Sequence, residues 1–233
     1  MPATPLTLLG FGFVLGLRHA LDVDHLAAVS TLVTQRRSLW RASLVGALWG
    51  LGHTAALLAA SVVVIGLHAE IPPRLASALE LGVAVMLVVL GLNLLRTVWT
   101  GGTLHHHVHS HGDRAHVHPH LHDSDPTTGD GHHHLRTGRR PFLVGLVHGL
   151  AGSGALMLAV LATIPSPALA LAYVGIFGAG SIAGMMAMST LFGLPLVLVG
   201  GRFASAELAL RLGAALGSLA VGLRLAWELG GLV

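Results

Sequence analysis

Residues 5–33 read PLTLLGFGFVLGLRHALDVDHLAAVSTLV, an apolar run interrupted by Arg18, His19, Asp22, Asp24 and His25. About 20 apolar residues suffice to cross the ~30 Å hydrocarbon core of a bilayer. The stretch therefore predicts a membrane span that holds ionisable groups inside it. Working outward, further apolar runs lie near 42–67, 75–98, 141–164, 168–199 and 206–230. Connections between them are short except for 99–140. The expected fold is all-α, a polytopic membrane protein with six transmembrane helices. The first run has no basic start, so it is expected to be a span and not a cleaved leader.

Composition supports that class. Of 233 residues, 53% are hydrophobic and 10% are charged, and the mean hydropathy is +0.75. Soluble domains carry about 25% charged residues. So few solvating groups argue against a secreted domain, a nucleic-acid-binding module or a disordered chain. The net charge of +3 is too small to imply nucleic acid. The chain has no Cys, which removes disulfides, iron–sulfur sites and thiolate ligands. Lys is absent and no Gly-Lys-Ser/Thr phosphate loop occurs, which argues against ATP hydrolysis.

Arginines indicate orientation. Arg36, Arg37 and Arg41 follow the first span, Arg96, Arg136, Arg139 and Arg140 flank the long loop, and Arg202 follows the fifth span. The opposite side holds mainly Arg74, offset by Glu70. The positive-inside rule then places the long loop in the cytoplasm and both termini outside the cytoplasmic membrane.

The two halves resemble each other. Gly16-Leu17-Arg18-His19 matches Gly145-Leu146-Val147-His148, and Gly50-Leu51-Gly52-His53 matches Gly178-Ala179-Gly180-Ser181. Gly91-Leu92-Asn93 and Gly222-Leu223-Arg224 are a weaker third pair. Three spans per repeat is an odd number, so the halves are expected to be inverted in the membrane. Secondary transporters build midplane substrate sites from such repeats, although recurrent helix packing on small residues produces similar patterns. The expected organisation is a first three-helix repeat over 1–98, a flexible loop over 99–140 and a second repeat over 141–233.

Ionisable groups inside a membrane pair with one another or line a pathway. On a regular helix, His19, Asp22 and His25 share one face and Asp24 points nearly opposite. Two imidazoles and a carboxylate make a plausible divalent-metal site, and His53 and His148 sit in Gly-rich spans that would join it. Such a donor set suits nickel, cobalt or zinc better than calcium or magnesium. The alternatives are interhelical hydrogen bonds, an Arg18–Asp22 ion pair, or a proton relay built from the same residues.

The segment His19-Ala20-Leu21-Asp22-Val23-Asp24-His25 resembles the H-x4-D-H signature of the nickel/cobalt transporter (NiCoT) family. Leu51-Gly52-His53-Thr54 is similar to that family's LGH-S/T motif, and 145–153 and 177–185 resemble its third and fourth signatures. The resemblance implies a permease for Ni2+ and/or Co2+ in which His19, Asp24 and His25 are essential. It brings in Asp24, which a regular helix leaves out. Both readings hold if the helix is unwound near Asp22–His25, with the freed backbone lining a cavity. Larger family members have seven or eight spans against six expected here, and the motifs do not separate uptake from export.

Twelve of the 17 His lie in the loop: His105, His106, His107, His109, His111, His116, His118, His120, His122, His132, His133 and His134. Few aliphatics and much Gly, Asp and Pro predict a tract disordered without metal. Neutral imidazoles bind transition metals reversibly, so the tract is expected to be a cytoplasmic metal buffer or a gate beside the pore, with a dispensable solvated linker as the alternative. A cytoplasmic nickel chaperone is a candidate partner of the protein.

The sequence therefore predicts a metal permease, not an enzyme. Ni2+ or Co2+ is the substrate, and no prosthetic group is expected. His19, Asp24, His25 and His53 would bind the ion, and His148 would join them from the second half. Asp22 would be a ligand or orient a His, and Ser153 and Ser181 would line the path. The membrane potential favours uptake, since a 2+ ion gains about 4.6 kcal/mol per 100 mV moving inward. Export and a membrane-anchored metal sensor or chaperone dock are the rival functions. An intramembrane metalloenzyme would need a Glu beside the ligands, as in H-E-x-x-H, and none is present.

Overall fold

Thr4 caps the first helix, α1 (Pro5–His19). Its side-chain oxygen accepts from the Thr7 N–H at 3.3 Å, and Pro5 takes a first-turn position where its missing N–H costs nothing. The helix stops at His19. A turn follows, with the Leu21 N–H donating to the Arg18 carbonyl at 2.9 Å and the Asp22 N–H to the His19 carbonyl at 3.0 Å. From Asp22 the chain restarts as α2 (Val23–Val33), bent 58° from α1. The first apolar run is thus a bent helix pair, the geometry of a broken span or a re-entrant loop, and the break falls at residues 20–22. Of the stretch expected to be unwound, Asp22 lies in the break while Val23, Asp24 and His25 are helical.

The computed structural model describes residues 4–34, 38–67, 72–100, 104–111, 114–121, 133–150, 164, 166–199 and 203–230. The remaining helices among these residues are α3 (Leu39–Leu67), α4 (Pro73–Trp99), α5 (His133–Gly149), α6 (Pro167–Val199) and α7 (Ala204–Gly230). Four of them, α3, α4, α6 and α7, are each long and apolar enough to cross a membrane, and the count is five if the bent α1–α2 pair is one span, against the six expected. The fourth expected span, 141–164, coincides with the end of α5 and then passes outside the described residues.

The loop differs from its expectation in two places. Leu104–His111 (β1) and Arg114–Leu121 (β2) pair as an antiparallel hairpin, with His105 opposite His120, His107 opposite His118 and His109 opposite His116. Both segments carry an alternation of residue types close to period two, the pattern of a strand. In addition, α5 begins at His133, inside the stretch expected to be irregular.

Helix pairs meet on glycine. Gly16 of α1 lies against the Phe177 carbonyl and the Ser181 N–H of α6, and Gly180 of α6 lies against the Phe13 carbonyl and the Leu17 N–H of α1. Gly145 of α5 lies against the Trp49 carbonyl of α3, and Gly52 of α3 against the Phe142 carbonyl and the Leu146 N–H of α5. Gly91 of α4 faces Ala215 and Leu219 of α7, and Gly222 of α7 faces Ala84 and Val88 of α4. Helices in lipid gain no hydrophobic drive from one another, so small residues that let backbones touch carry the association. Hydroxyls add to it. Ser181 donates to the Gly16 carbonyl at 3.3 Å, Thr54 to the Gly178 carbonyl at 3.4 Å and Ser218 to the Leu87 carbonyl at 2.8 Å.

The larger core joins Ala28, Val29 and Val33 of α2 to Val45 and Trp49 of α3, Leu87 of α4 and Met185 of α6. A smaller core joins Leu57 of α3 to Tyr173, Val174 and Phe177 of α6. Large apolar side chains such as Leu6, Leu67, Trp99 and Trp227 stand exposed on the outside, as lipid-facing residues do.

Candidate metal centre

The break between α1 and α2 decides which side chains converge. Asp22 stands at the N-cap position of α2, yet its side chain caps no N–H there. Its Oδ2 lies 2.7 Å from His19 Nδ1 instead. Asp24 falls in the first turn of α2, where backbone N–H groups lack intrahelical acceptors. Its Oδ1 accepts from the His25 N–H at 2.9 Å and stands 3.0 Å from His25 Nδ1. The same carboxylate reaches α5, with Oδ2 3.0 Å from His148 Nε2. The restart of the helix therefore turns Asp24 inward. On an unbroken helix it would face away from His19 and Asp22.

His53 arrives from α3 and His148 from α5. The close approach at Gly52, and that of Gly149 to the His53 backbone, brings these two helices together beside the break. His19 Nε2 and His53 Nε2 are 3.2 Å apart. The His25 ring centroid lies 4.2 Å from that of His19 and 4.1 Å from that of His148. Relative exposure is 9% for His19, 1% for His25, 0% for His53 and 1% for His148. Asp24 is 28% exposed and Asp22 54%, so the carboxylates mark the open side of the cluster.

Buried polar atoms ordinarily find partners. Here His25 Nε2, His53 Nδ1 and His148 Nδ1 are buried without one. A carboxylate on one ring nitrogen fixes the proton there and leaves the other nitrogen as a lone-pair donor. Asp22 does this for His19, and Asp24 does it for His25. Ligands at about 2.1 Å and right angles to each other on one ion stand about 3.0 Å apart, close to the His148–Asp24 and His19–His53 separations of 3.0 and 3.2 Å. The donors fall into two sets, His19–His25–His53 and Asp24–His25–His148, with the ligand atoms of each set within 4.8 Å of one another.

All six residues singled out in the sequence as candidate ligands thus meet at one place. The alternative Arg18–Asp22 pairing gives way to His19–Asp22, and Arg18 is exposed. Ser181 is fully buried at the α1–α6 contact, with its hydroxyl spent on the Gly16 carbonyl. Ser153, His122 and His132 lie outside the described residues. The hairpin carries His105, His106, His107, His109, His111, His116, His118 and His120, and α5 begins with His133 and His134.

Trp49 was not singled out in the sequence. It is buried one turn before His53, its ring centroid 5.4 Å from that of His25 and 5.7 Å from that of His148, and its indole N–H has no partner. Its spacing of four residues from His53 on α3 was the available signal.

No protein-family model and no solved structure matches the chain. Among curated proteins, it is 37% identical over 194 residues to the urease accessory protein UreH of Bacillus sp. (strain TB-90), covering 83% of this chain and 79% of that protein. It is also 37% identical over 76 residues to a high-affinity nickel transport protein of Cupriavidus necator, a match that covers 32% of this chain and 21% of that protein.

Proposed function

The chain belongs to the nickel/cobalt transporter family, and on that premise we propose that it is a secondary permease carrying Ni2+ and/or Co2+ inward across the cytoplasmic membrane. The observation that carries this reading is the cluster of four buried histidines and two aspartates at the α1–α2 break. His19, Asp24, His25, His53 and His148 bind the ion, and Asp22 orients His19. Imidazole with a carboxylate and no thiolate suits nickel and cobalt. The family relationship and the nickel transport protein among the relatives point to the same ions.

Six spans in two inverted three-helix repeats complete the reading. The glycine contacts support it. Phe13 and Leu17, which face Gly180, occupy the places in the first half that Phe142 and Leu146, which face Gly52, occupy in the second. Ala84 and Val88 correspond in the same way to Ala215 and Leu219. The His-rich loop lies in the cytoplasm and both termini outside, a reading supported by the arginine distribution. Inward movement is driven by the membrane potential, and the loop buffers arriving metal and can pass it to a cytoplasmic chaperone.

Metal flux into proteoliposomes tests the proposal. Transport that survives deletion of 104–121 but is abolished by His19→Ala or Asp24→Asn supports the permease, and undiminished flux in those two variants overturns it. Expression in cells decides direction, with nickel accumulation expected and nickel depletion contradicting uptake.

A further inference from the structure

We propose that the cluster holds the ion at two overlapping positions in succession. One lies between His19, His25 and His53, the other between Asp24, His25 and His148, and His25 is common to both. The proposal rests on the permease reading above and concerns how the same site releases what it binds.

Ligands to a single ion at bonds of about 2.1 Å stand no more than about 4.2 Å apart. The cluster supplies two such near-satisfied sets, with His19 and His53 in the first alone and Asp24 and His148 in the second alone. The ring centroids of His53 and His148 are 6.1 Å apart, whereas that of His25 lies little more than 4 Å from both His19 and His148. His25 is therefore the hinge of the arrangement.

The two positions differ in chemistry. With an ion on His19, His25 and His53, both carboxylates sit one bond further out, Asp22 on His19 Nδ1 and Asp24 on His25 Nδ1. The donors are then three neutral nitrogens. With the ion beside His148, Asp24 becomes a direct ligand, and the donors are two imidazoles and one oxygen. Asp24 thus orients His25 in one state and binds the metal in the other. A pathway conducts when binding is strong enough to admit the ion but divided enough to let it go. One carboxylate shared between two adjacent positions meets that requirement, because the new metal–oxygen bond forms as bonds to His19 and His53 are given up.

The test uses the full chain in detergent with Co2+ as the probe, read by X-ray absorption and equilibrium dialysis. Wild type is expected to bind one ion with two to three imidazoles. Asp24→Asn should still bind one ion through nitrogen without carboxylate. His53→Gln should still bind one ion with carboxylate oxygen retained. Each should lose about 10–100-fold in affinity, and His25→Ala should lose far more than either. Asp24→Asn and His53→Gln variants that bind as poorly as His25→Ala would overturn the proposal. So would four imidazoles on the wild-type ion, a result that needs no variant to fold. Absence of flux in wild-type proteoliposomes would sink the permease reading and is measured separately.

Discussion

Substituting Gly145 by Ala tests the packing that brings α5 to the cluster. A methyl group there would overlap the Trp49 carbonyl oxygen and lie 2.9 Å from both the Trp49 carbonyl carbon and Trp49 Cδ1. Carbon atoms rest comfortably at about 3.5–4.0 Å, so α5 must back away from α3 by roughly 1 Å. Overpacking of this kind costs about 1–3 kcal/mol. The helix preference of Ala over Gly returns about 0.5–1 kcal/mol, leaving a net loss of up to about 2.5 kcal/mol. The displacement also draws His148 Nε2 away from Asp24 Oδ2, now 3.0 Å distant, and nickel affinity should fall with it. Gly82→Ala on α4 is the control, because nothing lies within 4 Å of a methyl group there. It should hold or gain stability by up to about 1 kcal/mol. Thermal unfolding in detergent reads both variants at about 2–4 °C per kcal/mol for a chain of this size, and equilibrium dialysis reads nickel. Gly145→Ala should unfold a few degrees lower and bind nickel more weakly, as should its counterpart Gly52→Ala. If Gly145→Ala matched Gly82→Ala in both measurements, close α3–α5 packing at Gly145 would be refuted.

Asp22→Ala removes the acceptor from His19 Nδ1 and should weaken nickel binding by about 10–100-fold, less than His19→Ala, in the same dialysis assay. Trp49→Ala empties a buried site beside His25 and His148 and should cost about 3–5 kcal/mol. Trp49→Phe keeps most of the ring and drops an indole N–H that has no partner, so it should melt much closer to wild type. Ser218→Ala loses the bond to the Leu87 carbonyl and should cost about 1 kcal/mol. Ser218 is on α7, away from the cluster, so nickel affinity should stay unchanged in that variant.

Much of the candidate site was legible because ionisable residues in lipid are costly and stand out wherever they occur. His19, Asp22, His25, His53 and His148 each break an apolar run, and the H-x4-D-H resemblance added Asp24. Helical periodicity could not place Asp24, since a wheel assumes a continuous helix and this one stops at His19 and restarts at Val23. Trp49 stayed hidden because an aromatic residue in an apolar span looks like any core residue. Ser181 looked like a path-lining hydroxyl, and its bond to the Gly16 carbonyl depends on an α1–α6 contact that no local pattern reveals. The hairpin over 104–121 was masked by composition, since His, Gly and Pro suggest an irregular chain even where the alternation has the period of a strand.

The sequence alone determined the membrane class, four of the spans to within a few residues, and the residue types available for metal. These follow from transfer free energies that each segment pays locally and without regard to its neighbours. Only the tertiary structure decided that α1 and α2 break at Ala20–Asp22, that Asp24 turns inward, and that His53 and His148 approach from two other helices. Those outcomes rest on glycines of one helix meeting backbone carbonyls of another, a fit between segments far apart in the chain that neither segment encodes by itself.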